Sequence, residues 1–391
     1  VTMPEPAFDD LRSVLGADRV FDDADTCALY SSDETPRRVV PAAVVFPRNH
    51  DEVVALMRTA VKHRLPLVPR GAGSGNVGGA LPAPGSLVVS FECMTRVLEF
   101  DPDNRLMVVE AGIVTAEIDQ LARSRGLFYP PDPGSNLYCR IGGNLAMNAA
   151  GPRAVKYGVT RDFVLGLRGV TGAGDEFRVG CRTTKGVTGF DLTRLLVGSE
   201  GTLALITEAT LKLLPAPEGI ASLRVCYSNN RAALDAVGRV MRQQVMPRAV
   251  EFMDARSIEA IRPTGAANDL PEGTRALLMV EADGVVSDLP RQIEALSAAL
   301  MADEDDSCLE LRQAFDKLEI VRLWAARKSL SNAVKRYAPL KLNEDVVVPV
   351  SRLADFVDFL DGLADAQRLH IVSFGHAGNG NLHVNLMVHP D

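Results

Sequence analysis

The sequence predicts an α+β protein of two domains, and three features of its 391 residues lead to that prediction. A chain of this length has room for two hydrophobic cores. The segment 215–219, rich in proline and glycine, separates two runs of predicted helices and strands. A glycine-rich segment at 67–79 leads into another strand and not into a helix, unlike the start of a dinucleotide-binding βαβ unit. We therefore predict domains at residues 1–217 and 218–391.

Hydrophobic periodicity, interrupted by glycine and proline, predicts the elements of the first domain. Apolar positions at helical spacing predict helices at residues 7–16, 51–63 and 115–126, and small residues between glycines predict a short helix at 141–152. Apolar, β-branched runs predict strands at residues 39–47, 66–69, 86–91, 97–100, 105–111, 163–170 and 176–179, and a longer strand that ends at Pro215.

The second domain restarts an alternation of strands and helices. Strands are predicted near residues 221–228, 248–254, 276–281 and 342–348, with a final hairpin at 371–388. Helices are predicted near residues 229–244, 287–304, 310–336 and 351–365. This order predicts helices packed on one face of an antiparallel sheet.

Composition and charge argue against several classes of function. The formal net charge of −8 and the lack of a Lys/Arg run argue against binding to nucleic acid. No apolar segment reaches the roughly 18 residues of a membrane span, and no signal peptide is recognisable, so we expect a cytoplasmic protein. The six cysteines are scattered without a C-x-x-C pair, which favours reduced thiols over an iron–sulfur or zinc-finger site.

The segment 67–79 is the first candidate binding site. Five glycines follow a short apolar strand, and residues 73–78 spell G-x-G-x-x-G. Glycine accepts positive φ and lets a ligand approach the backbone, so such a loop can direct N–H groups at a phosphate. The alternative is a glycine-rich turn without a ligand.

Two further segments of the first domain have the same character. The paired glycines Gly142 and Gly143 begin a predicted helix of small residues, where bare N–H groups would be available to an anion. Close packing between helices is the alternative, and it explains the alanines but not the paired glycines. A third glycine turn, at 198–201, precedes a long strand. Three such turns, none of which begins a Rossmann helix, indicate a large dinucleotide in a long groove.

Five ordered motifs carry a resemblance to a known family. The segments 69–75, 131–135, 141–151, 156–158 and 198–202 resemble the FAD-binding domain of the vanillyl-alcohol oxidase superfamily. The second half is similar to the branch that contains the glycolate oxidase FAD subunit, D-lactate dehydrogenase and D-2-hydroxyglutarate dehydrogenase. The resemblance implies a two-part PCMH-type FAD-binding domain followed by a ferredoxin-like antiparallel α+β substrate domain.

The resemblance also implies a set of FAD-binding residues. It places the pyrophosphate at the first loop and at Gly142–Gly143, and the adenine and ribose along residues 200–206. The residues that it assigns to FAD are Pro69, Arg70, Gly71, Ala72, Gly73, Ser74, Gly75, Asn76, Pro133, Gly134, Ser135, Gly142, Gly143, Asn144, Ala146, Asn148, Gly151, Tyr157, Gly158, Glu200, Gly201 and Ile206. Many relatives tether FAD through a histidine in the first loop; residues 69–79 contain none, so we expect non-covalent FAD.

Histidines are concentrated near the end of the sequence, at 370, 376, 383 and 389. The glycines at 378 and 380 can turn the backbone between His376 and His383, and alternation places His383 and Asn385 on one face. Two such histidines suit a metal site with an open position, and two hydrogen-bonded loop histidines are the alternative. The resemblance favours a divalent metal, zinc or manganese, and implies that the third ligand and the catalytic base lie beyond Asp391.

A predicted helix supplies a candidate clamp for a substrate carboxylate. Arg327 and Ser331 are four residues apart and share a helix face, and the neighbouring Trp324 indicates partial burial. An arginine fork binds a carboxylate in two places, and a hydroxyl adds one more hydrogen bond. Lys341 matches a second cationic contact of the family. The alternatives are that Arg327 is a plain surface residue and that Lys341 is a solvated lysine before a strand.

The resemblance implies oxidation of a D-2-hydroxy acid of the lactate, glycolate or 2-hydroxyglutarate type to its 2-oxo acid, with Arg327, Ser331, Lys341 and Asn385 at the reaction site. The electrons would pass from flavin N5 to an iron–sulfur subunit, a quinone, a cytochrome or an electron-transfer flavoprotein. A non-catalytic FAD subunit of a glycolate oxidase-like complex is the alternative. A UDP-N-acetylmuramate-type reductase would share the FAD-binding domain, but it should lack the histidine hairpin, so the hairpin argues against that enzyme. We also expect a homodimer, with peripheral binding at the inner membrane as a second localisation.

Overall fold

The computed structural model describes residues 3–302, 306–338 and 340–389, without the side chain of Ser331. The chain divides into two compact units. The first contains residues 1–151 and 158–216, and the second contains residues 152–157 and 217–391. The segment 152–157 lies within the range 1–217 predicted for the first domain, and in the structure it packs with the second unit.

Six helices and eleven strands make up the described part of the first unit. The helices are α1 (Glu5–Leu15), α2 (Ala24–Leu29), α3 (His50–His63), α4 (Thr115–Arg123), α5 (Ile141–Met147) and, after α6 (Ala154–Tyr157) of the second unit, α7 (Leu192–Leu196). The strands are β1 (Val20–Phe21), β2 (Ala43–Val45), β3 (Leu67–Arg70), β4 (Leu87–Ser90), β5 (Val97–Asp101), β6 (Leu106–Glu110), β7 (Leu127–Phe128), β8 (Val164–Thr171), β9 (Glu176–Gly180), β10 (Ala204–Lys212) and β11 (Leu214–Pro215).

The first unit contains two main sheets. One has the strand order β1-β2-β4-β3, and its last three strands are parallel. The other is antiparallel, with the order β5-β6-β10-β8-β9. Helices α1 and α3 bury Leu11, Leu15, Val53 and Leu56 against the first sheet. The glycine segment joins β3 to β4 without an intervening helix, which confirms the predicted strand–loop–strand order.

The second unit is built from helices and strands in alternation. Its remaining helices are α8 (Asn230–Met241), α9 (Ala255–Ile261), α10 (Leu289–Met301), α11 (Lys317–Leu323), α12 (Ala325–Ala333) and α13 (Leu353–Gln367). Its strands are β12 (Gly219–Tyr227), β13 (Ala249–Met253), β14 (Ala276–Gly284), β15 (Cys308–Ala314), β16 (Leu340–Val347), β17 (His370–Gly375) and β18 (Asn381–Val388).

The predicted ferredoxin-like topology is present in the second unit. Strand β12, helix α8, strands β13 and β14, helix α10 and strand β15 follow the β-α-β-β-α-β order of that motif, with α9 inserted between β13 and β14. These four strands lie in the sheet order β15-β12-β14-β13, and β17, β18 and β16 extend the sheet to seven antiparallel strands.

Helices cover both faces of this sheet, so the prediction of helices on one face is wrong. Alternate residues of each strand enter two separate cores. Leu278 and Val280 pack in the core that contains α8, α10 and α13, whereas Leu277 and Met279 pack in the core that contains α9, α11 and α12. Strands with apolar residues on both sides read as continuous apolar runs, and β14 is such a run.

Two predicted helices differ from the structure. Residues 308–314, placed largely in a long helix, form the edge strand β15, which pairs with β12 in antiparallel register. The helix predicted at 141–152 ends at Met147, because Asn148 adopts the left-handed conformation with φ of 49°.

The described residues contain no helix long and apolar enough to cross a membrane. All six cysteines are free thiols, as predicted from their scattered positions.

Helix α9 is capped by a buried carboxylate. Asp254 accepts hydrogen bonds from the backbone N–H groups of Ser257 (2.7 Å) and Ser373 (2.8 Å), which ties the start of α9 to β17. Burial raises the pKa of Asp254 to about 6, although these hydrogen bonds oppose the shift.

We predict that Asp254 makes the second unit less stable as the pH rises from 4 to above 6. The folded protein retains the Asp254 proton that the unfolded chain has already lost, so stability present at pH 4 is lost through pH 6, by at most about 1.4 kcal/mol per pH unit. Asp254→Asn cannot ionise and should remove this slope. Urea unfolding at pH 4.5 to 7.5, followed by fluorescence of the single tryptophan, measures it. Parallel slopes for both proteins would contradict the prediction.

Candidate functional site

The glycine segment after β3 is held in place by Arg70. The Arg70 side chain is buried, and its Nη1 donates to the carbonyls of Ser32 (2.7 Å) and Ala80 (3.4 Å). The Glu34 N–H donates to the Gly75 carbonyl at 3.2 Å, so residues 32–34 lie alongside the loop. The loop that begins after Arg70 is therefore fixed at two points, the Arg70 side chain and the Gly75 carbonyl.

The other two predicted glycine turns, Gly142–Gly143 and 198–201, lie next to this loop. A Cβ added to Gly71 would be 3.6 Å from the backbone nitrogen of Gly143, so the first loop touches the start of α5. A Cβ added to Gly201, where φ is 73°, would be 2.6 Å from the Pro69 ring. The turn 198–201 is also joined to α5, since the N–H of Glu200 donates to the carbonyl of Ala146 at 2.9 Å.

The other predicted FAD residues of the first unit continue this arrangement. Residues Pro133–Ser135 form a loop after β7, and Gly151 lies so close to it that an added Cβ would be 1.7 Å from the Asp132 carbonyl oxygen. Asn144, Ala146 and Asn148 lie on or at the end of α5, Gly158 precedes β8, and Ile206 lies on β10.

Tyr157 is placed differently from the other predicted FAD residues. It belongs to α6 in the second unit, where its hydroxyl donates to Asp283 Oδ2 at 2.8 Å. Burial and the neighbouring Asp283 carboxylate raise the pKa of Tyr157. Lys156 donates to the same carboxylate at 2.5 Å, so this helix is joined to the second unit by buried polar contacts.

The residues of the first unit fit a dinucleotide. An added Cβ would meet no atom within 4 Å at Gly75, Gly78, Gly134 or Gly143. The chain thus presents bare backbone along an open surface at the loop, at α5 and at the loop after β7, as close approach of a phosphate requires.

The second unit gathers polar side chains on one face of its sheet. His383 lies opposite Asp345 and Phe374 in the strand register, and Asn385 lies opposite Asn343. Directly opposed residues of antiparallel strands project to the same side. This side is the one that packs against α9 and α12, because Phe374 belongs to their core.

Glu251 joins Arg327 to His376 on this face. Its carboxylate is completely buried, with Oε1 at 2.5 Å from His376 Nδ1 and Oε2 at 2.8 Å from Arg327 Nε. Burial would raise the pKa of Glu251, but its interactions with His376 and Arg327 outweigh the effect of burial and lower the pKa to about 2. The Arg327 guanidinium lies 4.9 Å from the Phe374 ring centre, and its side chain is only 14% exposed. Arg327 is therefore not a plain surface residue.

His383 is held in the same way by a second carboxylate. Its Nδ1 bonds to Asp345 Oδ1. Partial burial would raise the pKa of Asp345, but the interaction with His383 outweighs it and lowers the pKa. The rings of His376 and His383 lie 5.2 Å apart at nearly a right angle. Metal-binding histidines commonly have one ring nitrogen on a carboxylate in this way.

A complete metal site is not assembled by the described residues. Within residues 3–302, 306–338 and 340–389, no group of three or more His, Cys, Asp or Glu side chains is placed to hold an ion. The pair His376 and His383 does fit part of such a site, because the described residues form no hydrogen bond to either Nε2.

The remaining predicted catalytic residues have three outcomes. Asn385 is buried, and its Nδ2 donates to the carbonyls of Val372 and His383, while its Oδ1 has no partner in the described part of the chain. Lys341 lies opposite Met387 on β16, on the same side of the sheet as Asp345 and four residues or about 13 Å along the strand from it. Ser331 lies on α12, and its side chain is outside the described residues.

Two family models match the chain. Residues 41–180 match the "FAD binding domain" model, and residues 216–391 match "FAD linked oxidases, C-terminal domain". The chain belongs to the family of FAD-linked oxidases. FAD is the cofactor of this family's binding domain, in agreement with what the resemblance implies.

Curated relatives of this FAD-linked oxidase cover most of its length. It is 40% identical to "Glycolate oxidase subunit GlcD" of Bacillus subtilis, with coverage of 93% of this chain and 77% of the relative. It is 34% identical to "D-lactate dehydrogenase" of Archaeoglobus fulgidus and 32% identical to "D-2-hydroxyglutarate dehydrogenase" of Stutzerimonas stutzeri, each with coverage of 98% of this chain and 83% of the relative.

Solved structures support the fold at lower identity. p-Cresol methylhydroxylase matches with a TM-score of 0.81 at 12% identity, covering 99% of this chain and 84% of that chain. Alkyldihydroxyacetonephosphate synthase matches with a TM-score of 0.80 at 19% identity, covering 98% of this chain and 81% of that chain. The predicted PCMH-type fold with a second α+β domain is confirmed.

Sequence reasoning missed Glu251 and Asp345. Both are carboxylates in strands, and Glu251 interrupts the buried run Ala249–Met253 of β13. A single charge within such a run is a usable signal, since an acidic side chain is rarely buried unless it is paired.

Proposed function

We propose that this FAD-linked oxidase oxidises a small D-2-hydroxy acid to its 2-oxo acid. The observation that carries the proposal is the bridge from Arg327 through Glu251 to His376, with His383 beside it. This arrangement places a carboxylate-binding cation next to two imidazoles, which matches the carboxylate and hydroxyl of a 2-hydroxy acid. The names of the curated relatives, among them glycolate oxidase and D-lactate dehydrogenase, support this substrate class.

Arg327 would bind the substrate carboxylate. Its Nε is used by Glu251, and no hydrogen bond from the described residues occupies its two Nη groups. Planar N–H donors bind a carboxylate in two places, and the Phe374 ring restricts the guanidinium plane. Asn385 has an unpartnered Oδ1 on the same face, and it would accept a hydrogen bond from the substrate or from water.

His376 and His383 would hold a divalent metal, zinc or manganese, through their Nε2 atoms. When bound, such an ion lowers the pKa of a coordinated hydroxyl. The residues themselves contribute the orientation, because Glu251 and Asp345 fix the Nδ1 side of each ring. FAD, held without a covalent bond by the first unit, supplies the hydride acceptor.

The alternative, a non-catalytic FAD-binding subunit, predicts an FAD that no 2-hydroxy acid reduces. The ordered Arg327–Glu251–His376 bridge favours the enzyme, since a subunit without a substrate has no use for it. We further propose that the enzyme is cytoplasmic and that it passes its electrons to a protein or a quinone, and not to oxygen. Anaerobic mixing with D-lactate, glycolate and D-2-hydroxyglutarate tests the function, because bleaching of the flavin absorbance would exclude the non-catalytic subunit.

We predict that acid precipitation releases FAD into the supernatant. Residues 69–79 contain neither histidine nor cysteine, so the first loop offers no side chain for a covalent flavin bond. The absorbance spectrum of the supernatant and in-gel flavin fluorescence of the denatured chain measure the outcome. Fluorescence that remains on the denatured polypeptide would contradict non-covalent binding.

We predict that Arg327→Lys lowers kcat/KM about ten- to a hundredfold with little change in flavin content. Lysine keeps a positive charge beside the buried Glu251 but loses the planar fork, and a charge-assisted hydrogen bond contributes roughly 1.5–3 kcal/mol. Lys328→Ala, at an exposed position of the same helix, is the control and should behave as wild type. A loss of flavin that parallels the loss of activity would assign Arg327 a structural role.

We predict that chelation stops turnover and leaves FAD bound, because the glycine loops contain no metal ligand. His383→Ala should have the same effect, and added metal should not restore it. His370→Ala, which removes a histidine from the neighbouring strand, is the control. Turnover that survives exhaustive dialysis against a chelator, with no metal detected by elemental analysis, would remove the metal from the mechanism.

A further inference from the structure

We propose that Glu251 is a positioning residue that sets the tautomer of His376 and the orientation of Arg327 together. The proposal rests on the proposed function for its catalytic meaning. Its structural content is independent: one buried carboxylate orients two side chains that would contact different parts of the substrate site.

Each carboxylate oxygen of Glu251 accepts a hydrogen bond from one side chain. Oε1 faces His376 Nδ1 and Oε2 faces Arg327 Nε, and no part of the side chain is exposed to solvent. The three residues come from different elements, since Glu251 lies on β13, Arg327 on α12 and His376 just after β17. A small displacement of His376 or Arg327 would therefore be passed to the other residue through the Glu251 carboxylate.

The hydrogen-bond chemistry fixes the tautomer of His376. An ionised carboxylate only accepts hydrogen bonds, so His376 Nδ1 must carry the hydrogen. In the neutral ring, Nε2 then presents its lone pair, as a metal ligand or a proton acceptor requires. With no acceptor at Nδ1, both neutral tautomers would be populated, and some of the rings would present Nε2–H instead.

The same carboxylate directs Arg327. A guanidinium held at Nε by Glu251 and lying against the Phe374 ring has little freedom to rotate, so both Nη groups keep one direction. Asp345 bonds to His383 and to the Asn381 side chain, and its own side chain is 46% exposed, so water can compete for these bonds. Glu251 is thus the more rigid of the two carboxylates.

Stability gives no sufficient reason for a charge at this position. Buried ion pairs are often no more stabilising than well-packed apolar residues of similar volume. The neighbours of Glu251 along the strand, Val250 and Phe252, are apolar core residues. The orientation of two functional side chains accounts for the carboxylate, whereas packing alone does not.

The experiment compares wild type with Glu251→Gln and with Asp254→Asn as the matched control. In both variants an amide replaces a buried carboxylate that faces two N–H donors, but at Asp254 the donors are backbone amides. An amide has one acceptor oxygen, and Arg327 can only donate whereas a His376 ring nitrogen can also accept, so in Glu251→Gln the oxygen stays with Arg327 and the N–H₂ group faces His376 Nδ1. If this variant does not fold, Glu251→Asp replaces it, because the shorter side chain cannot reach both partners.

The first readout is the tautomer of His376, measured by long-range ¹H–¹⁵N correlation in ¹⁵N-histidine-labelled, FAD-bound protein after dialysis against a chelator. We expect Nδ1–H in wild type and in Asp254→Asn, and a mixed or Nε2–H state in Glu251→Gln. The second readout is kcat/KM, which should fall at least tenfold in Glu251→Gln. In an Arg327→Lys background the added loss should be smaller, because the two residues act as a unit.

The outcomes separate the two proposals. An unchanged His376 tautomer in Glu251→Gln, or a kcat/KM within twofold of wild type, would overturn the positioning role. A changed tautomer in a protein that oxidises no 2-hydroxy acid would overturn the proposed function and retain the role of Glu251 in setting the ring. Equal losses of kcat/KM in Glu251→Gln and Asp254→Asn, in proportion to their melting temperatures, would mean that Glu251 is structural.

Discussion

The two-residue alternation of antiparallel strands is the constraint on which the candidate site depends. Successive residues of β13, β17 and β18 enter opposite cores, so one face of the sheet collects Glu251, Phe374, His383 and Asn385 while the other presents mainly apolar side chains. A slip of one residue in any of these strands would place its polar side chains in the core around α8 and α13. The pairing of β13 with β17 therefore brings Glu251 next to His376, which follows β17.

The parts of the site that could be predicted from the sequence are those with a local signal. Glycine clusters, a histidine pair seven residues apart and an arginine on a helix are visible within short windows. The contacts of Glu251 are not, because its two partners lie 76 and 125 residues away along the chain. Their encounter follows from the sheet order β13-β17-β18 and from the placement of α12, which no local pattern contains. The resemblance to known flavoproteins supplied the site residues but not these supporting carboxylates.

The errors in the fold prediction have a related cause. Residues 308–314 carry charged side chains at an exposed sheet edge, where weak alternation is compatible with a helix period, and only pairing with β12 makes them a strand. Strands buried on both faces show no alternation at all, so the second helical layer around Trp324 was not foreseen. Long-range pairing, and not local propensity, decided both elements.

The two units achieve rigidity by different means, and this difference bears on how each binds its ligand. In the first unit, the Arg70 side chain and backbone hydrogen bonds at Gly75 and Ala146 hold the loops, and bare glycine backbone faces outward. Such a surface suits a phosphate-rich cofactor, whose charge is met by many weak N–H donors. In the second unit, two carboxylates hold charged and titratable side chains, so the orientation of a few strong donors is fixed. A small hydroxy acid offers few atoms for recognition, and its binding therefore requires strong groups held in one geometry.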